Sequence, residues 1–210
     1  MKILFIGNSH TFVHYVPLRV KHFLEEHGLD ADVTMLSIPA VGLDYHLQLS
    51  QTYFNLMCGD YDAVILQHNA HPFPGKQSLL ENGRKIADLV PERTKIYLYM
   101  TWSEKNNPDG QKVMSEAYRE LGAAIDASVC PVGEWWWKIK ENYPDELYFE
   151  DGEHASVFGS SLAAAVIGRT IMAMRLEMDE LYKDAKQLEE LKQDRKMIDL
   201  VMKDGQLNVE

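Results

Sequence analysis

Apolar residues along the chain fall alternately into short unbroken runs and runs spaced three or four apart, the pattern of strands and helices taken in turn. Lys2 to Ile6 is a short apolar run that stops at Gly7, as a buried parallel strand does. From Val16 to His27, Val16, Val20, Phe23 and Leu24 recur at helical spacing, and Gly28 ends the run. Ala31 to Ile38 reads as a second strand and Leu43 to Met57 as a helix. Ala63 to Leu66 is a third strand, entered through the turn Gly59-Asp60-Tyr61-Asp62. A helix over Leu79 to Val90 is stopped by Pro91, and Lys95 to Thr101 is a fourth strand. A long helix over Gln111 to Ala127, a short fifth strand over Ser128 to Val132 and a strongly apolar helix over Ala155 to Leu176 complete the series.

Strands separated by helices build βαβ units, hence an α/β fold with a mostly parallel five-stranded sheet and helices on both faces. Ligands in such sheets bind beyond the carboxyl ends of the strands. The residues expected to converge are therefore Gly7 to His10, Pro39 to Gly42, Gln67 to Asn69, Thr101-Trp102 and Gly133 to Trp137. Residues 1–178 read as one domain. The stretch from 179 to 210 reads as a charged amphipathic helix, packed on that domain or at a homodimer contact, with Leu181, Leu188, Leu191, Ile198 and Val201 as its apolar positions.

Composition narrows the function. With 210 residues, 46% hydrophobic and 25% charged, the chain suits one globular domain. Its formal charge of -11 argues against a nucleic-acid partner, which needs clustered Lys and Arg. The apolar run at Met1 is too short for a signal-peptide core or a membrane span, so a cytoplasmic protein with no membrane partner is the expectation. Cys58 and Cys130 stand in no metal-ligand spacing and read as two buried free thiols. No Gly-x-Gly-x-x-Gly follows the first strand, which disfavours a dinucleotide site, and no cofactor is called for.

Serine hydrolysis needs an accessible hydroxyl, an imidazole to take its proton, a group that orients the imidazole, and donors for the oxyanion. Ser9 follows the first strand in Gly7-Asn8-Ser9-His10-Thr11, where it suits either a nucleophile or a helix N-cap. Asp151 and His154 stand three apart in Glu150-Asp151-Gly152-Glu153-His154, just before the apolar helix. That spacing lets a carboxylate hold one ring nitrogen and leaves the other facing a nucleophile.

Taken together, Gly7-Asn8-Ser9 and Asp151-Gly152-Glu153-His154 resemble the first and last blocks of the SGNH, or GDSL-like, hydrolases, in chain order and separation. Asn8 stands where that family most often has Asp. The resemblance spans roughly residues 1 to 176. It implies a flavodoxin-like three-layer α/β/α sandwich, with Ser9 as nucleophile and His154 and Asp151 completing the triad. Gly42 fits the family's oxyanion glycine after the second strand. Asn69 fits the Asn of its Gly-x-Asn block, although Gln67 replaces the Gly and is itself a candidate amide donor. The implied oxyanion hole is the amides of Ser9 and Gly42 with a side chain from Asn69 or Gln67.

Asn8, His10, His68, Trp102 and Trp135 are the expected substrate-pocket residues, since strand ends carry the pocket and tryptophan faces stack on sugars. His10, His14, His46, His68 and His71 would gather nearby, but no acidic partner ties them to a metal, and none is expected. The chain reads as an esterase of a small acyl ester, with an acetylated carbohydrate as the suggested substrate. A non-catalytic glycan- or ligand-binding module on the same fold is the alternative.

Overall fold

The structure is a computed structural model that describes residues 1–191. Five parallel strands form one sheet: β1 Lys2–Gly7, β2 Asp32–Ser37, β3 Ala63–Leu66, β4 Lys95–Tyr99 and β5 Ser128–Cys130, in the order β2-β1-β3-β4-β5. Nine α-helices connect and cover them among the described residues: α1 Ser9–Phe12, α2 Val16–Glu26, α3 Leu43–His46, α4 Ser50–Cys58, α5 Lys76–Ala87, α6 Pro108–Ala124, α7 Val132–Lys140, α8 Val157–Ile171 and α9 Met178–Glu189.

The two-residue period of the strands divides the interior into two cores. Ile3, Phe5, Ala63, Ile65, Tyr97 and Tyr99 face one way and pack with α2, α7, α8 and α9. Leu4, Ile6, Val64, Leu66 and Leu98 face the other and pack with residues of α3 to α6. The result is the three-layer α/β/α sandwich expected from the sequence. Strand order 2-1-3-4-5 puts a topological switch point between β1 and β3, and sheets of this kind form their ligand crevice beyond the carboxyl ends of the strands at such a point.

Several expected elements differ. The helix expected over Leu43 to Met57 is two, because residues 47–49 leave helical geometry between α3 and α4. The segment expected as a loop after β5 is helix α7, whose Val132, Trp136 and Ile139 make a buried stripe at helical spacing. Helix α6 begins earlier than expected because Asn107 caps it, accepting from the Gly110 amide at 3.0 Å, with Pro108 in the first turn. Cys130 is buried as expected, but Cys58 is exposed, since it lies on the outer face of α4. Helix α9 lies along α8, burying Leu181, Ala185 and Leu188, and Asp184 pairs with Arg169 Nε at 2.5 Å. The expected amphipathic positions Ile198 and Val201 lie outside the described residues. Among those described, no helix is long and apolar enough to cross a membrane.

Candidate active site

The turn after β1 is tightly constrained. A Cβ on Gly7 would sit 2.3 Å from Thr11 Oγ1 and 2.5 Å from Gln67 Oε1, so only glycine fits. Asn8 then caps α1, its Oδ1 accepting from the His10 amide at 3.1 Å. This removes the N-cap alternative for Ser9: it is the first helical residue, and its hydroxyl points elsewhere. Ser9 Oγ lies 2.9 Å from His154 Nε2.

The His154 turn is held from four sides. Asp151 Oδ1 accepts the amides of Glu153 and His154, each at 2.9 Å. Its Oδ2 is 2.7 Å from His154 Nδ1. Gly152 adopts a left-handed φ of 73°, and its carbonyl accepts the Lys105 amide at 2.9 Å. Trp102 Nε1 donates to the Glu153 carbonyl at 2.8 Å. Burial opposes ionisation of Asp151, but the Glu153 and His154 amides and the His154 ring together hold its carboxyl below the ordinary value. An ionised carboxylate accepts Nδ1–H, which leaves Nε2 as a lone pair for the serine O–H. A hydroxyl, an imidazole and a carboxylate in line can remove a proton from oxygen and return it later.

The ends of β2 and β3 complete the crevice. The buried Asn8 amide donates from Nδ2 to the Val41 carbonyl at 2.9 Å and to Asn69 Oδ1 at 3.2 Å, so one side chain ties three loops together. An aspartate has no such donor, which explains physically why Asn stands here. At 1% exposed, Asn8 is a brace rather than a pocket wall, contrary to expectation. Gly42 begins α3 with its back to the His68 ring, and a Cβ there would meet His68 Cε1 at 2.7 Å. Among the described residues, neither the Ser9 nor the Gly42 N–H is taken up by another hydrogen bond. Asn69 is half-buried, and the bond to its Oδ1 turns its Nδ2 toward the Pro72 carbonyl at 3.3 Å, with a second N–H to spare.

Gln67 corrects the expectation of an amide donor. Its Oε1 accepts the Asn8 amide at 2.7 Å and Thr11 Oγ1 at 3.0 Å, and its Nε2 donates to the His68 carbonyl. It holds the β1 turn against β3, the support a glycine there would not give. His68 is likewise no pocket residue: it is buried, Nδ1 accepts from the Leu43 amide at 3.0 Å and Nε2 meets Ser78 Oγ at 3.2 Å. Burial drives its pKa down to about 4, so it stays neutral and braces the start of α3. His46 is also fully buried, with Nε2 on the Gly7 carbonyl at 2.8 Å.

The expectation that Trp102 lines the pocket also fails. Trp102 is fully buried and stacked on Trp136 at 3.7 Å between ring centres, because the apolar α7 stripe needs a flat partner. Trp135 is partly buried against the same core, with Lys138 Nζ 4.2 Å over its ring, and no contact joins it to Ser9 or His154 among the described residues. His10 is 5% exposed and packs face to face on the His154 ring, centres 5.1 Å apart. His71 and Trp136, which sequence reasoning did not assign to the support of this turn, stand behind it: His71 Nε2 meets the Trp102 carbonyl at 3.0 Å. The α7 apolar spacing was the available signal for Trp136. A cavity of about 850 Å³ opens at the amino end of β4 and β5, between Arg84, Lys95, Asp126 and Thr170, and shares no residue with this crevice.

No family model and no curated protein sequence matches the chain. Solved structures do. The chain superposes on a lipase/acylhydrolase from Enterococcus faecalis with a TM-score of 0.67 at 20% identity, covering 82% of this chain and 95% of that one. An acetyl xylan esterase variant from Geobacillus stearothermophilus gives 0.66 at 17% identity, over 84% and 96%. The chain has the SGNH-hydrolase fold. A DUF4886 family protein from Bacteroides uniformis shares it, at a TM-score of 0.69 and 14% identity over 88% and 93% of the two chains. In this chain the ends of β1, β2 and β3 are joined through Asn8, Val41 and Asn69, and Ser9 Oγ meets His154 from the turn before α8.

Proposed function

We propose that the protein is a serine ester hydrolase working through an acyl-enzyme. The observation that carries this reading is the unbroken chain from Ser9 Oγ to His154 Nε2 at 2.9 Å and from His154 Nδ1 to Asp151 Oδ2 at 2.7 Å. Ser9 Oγ attacks the ester carbonyl carbon as its proton passes to His154 Nε2. The carbonyl π-electrons move to oxygen, where the Ser9 and Gly42 amides and Asn69 Nδ2 are the donors in reach of the crevice. Collapse expels the alkoxide, which takes the proton from His154 and leaves as the alcohol. Water enters, gives its proton to His154, attacks the acyl carbon, and Ser9 departs reprotonated. Asp151 keeps the imidazole in the tautomer both halves need.

The substrate is a small acyl ester, with acetylated carbohydrate as the leading class. The likeness to an acetyl xylan esterase supports it; the tryptophans do not, since Trp102 is interior. Asn8 and Gln67, the two departures from the family's pattern, are accounted for as braces. The test compares p-nitrophenyl acetate hydrolysis and fluorophosphonate labelling in wild type and Ser9→Ala. A loss of about three orders of magnitude or more with no labelling of the variant is expected. Equal rates in the two proteins end the proposal. Acetylated xylo-oligosaccharides against long-chain p-nitrophenyl esters then decide the substrate class.

A further inference from the structure

His10 has no duty in the scheme above, yet its buried ring packs against three others. Its ring lies face to face with His154, centres 5.1 Å apart and planes 15° from parallel. His71 and Trp102 meet it edge-on at 4.7 and 5.2 Å, so three rings fix it from three sides. Its backbone is pinned as well, by the Asn8 cap on its amide and by the Tyr99 hydroxyl, which donates to its carbonyl at 3.1 Å. Its Nδ1 is buried with no hydrogen-bond partner. A structural filler would be apolar at such a place, because an orphaned ring nitrogen in the interior is costly.

Resting on the proposed hydrolase, we propose that His10 is a positioning residue for the reaction: its neutral ring is the platform that sets the plane of His154 toward Ser9 and faces the charge His154 acquires. A second proton on His10 would put an N–H at Nδ1 where nothing accepts it. It would also set two like charges ring to ring. The groups facing His10 are His71 from the β3–α5 loop, His154 and Asp151 from the turn before α8, and Tyr99 from β4; only Asp151 favours the charged form. Burial, followed by His71 and His154, pushes the His10 pKa well below the ordinary imidazole value. A neutral aromatic face against an imidazolium is attractive, whereas a second imidazolium is repulsive.

The experiment compares His10→Phe, which keeps a flat ring and cannot titrate, with His10→Leu, which fills the space without one. His10→Phe is expected to keep kcat within about threefold of wild type, and His10→Leu to lose at least about tenfold in kcat with KM within about twofold. Equal kcat in the Leu variant and wild type overturns the proposal. So does a Phe variant as slow as Leu while melting like wild type. Imidazole NMR titration of the unaltered protein stands apart from whether either variant folds or any ester is cleaved. His10 is expected to take up a proton only well below the ordinary imidazole value, and protonation of His10 at or above that value would overturn the platform. A wild-type protein that neither labels nor hydrolyses esters refutes the hydrolase reading instead, and the titration separates the two failures.

Discussion

Asn8→Asp replaces the brace between three loops with the residue most often found there in the resembling family, and the geometry says this chain does not accept it. The wild-type amide gives two donor bonds, to Val41 O and Asn69 Oδ1. A carboxylate gives neither, and it faces the Val41 carbonyl oxygen with another oxygen while 99% of the residue is out of water, given its 1% exposure. Two lost bonds at about 1 kcal/mol each and an unpaired buried acceptor at about 2 kcal/mol, less about 1 kcal/mol from a stronger bond to the His10 amide, leave about 3 kcal/mol of destabilisation. Relief by protonation corresponds to a pKa for the new carboxyl about two above its unfolded value of about 3.9. The sign follows: a raised carboxyl pKa makes the penalty small below the unfolded value and full above the folded one. Urea unfolding is therefore expected to show a deficit of about 3 kcal/mol at pH 8 and about 1 kcal/mol at pH 4.5. A variant as stable as wild type at pH 8, or a deficit that grows on acidification, refutes the bracing argument.

Asp151→Asn keeps the shape of the turn but stabilises the wrong His154 tautomer, and kcat is expected to fall about 10³- to 10⁴-fold with little change in melting temperature, read by steady-state kinetics and calorimetry. Asp184→Ala leaves the Arg169 guanidinium, 5% exposed, with Glu180 and the Arg175 carbonyl as its remaining partners. Chemical unfolding should show a loss of about 2 to 4 kcal/mol, with α9 the first element to exchange amide hydrogens. His68 has a folded pKa of about 4 against 6.5, so its contribution is complete above 6.5 and lost as pH falls toward 4. That amounts to about 3 kcal/mol. His68→Asn should flatten the acid limb of the stability curve between those values, and an unchanged slope would count against it.

The alternation of strands and helices and the two-faced sheet were readable because each strand is a short apolar run and each major helix an amphipathic one. What the runs did not reveal was set by side chains acting across loops. Leu43 to Met57 reads as one stripe, but the chain leaves helical geometry at residues 47–49 between α3 and α4, and α3 starts on the Leu43 amide's bond to His68, a contact no local period encodes. Trp135-Trp136-Trp137 looks like a binding face; only the spacing Val132, Trp136, Ile139 tells that Trp136 points inward. The Ser9, Asp151 and His154 positions were legible because motif and chain order agreed. Gln67 and His68 were misread for the opposite reason: polar residues at a strand end resemble site residues until their partners, Asn8, Thr11, Leu43 and Ser78, are seen.

The Trp102 indole touches both the deepest packing of the molecule and the carbonyl of Glu153, one residue before His154. The usual division between substitutions that affect folding and those that affect turnover therefore breaks down along this line. A repacking of α7 around Trp136, far from any ester, would tilt the indole and with it the peptide that carries the imidazole. In a randomised library, altered rates should arise from interior positions on α7 as readily as from the rim of the crevice.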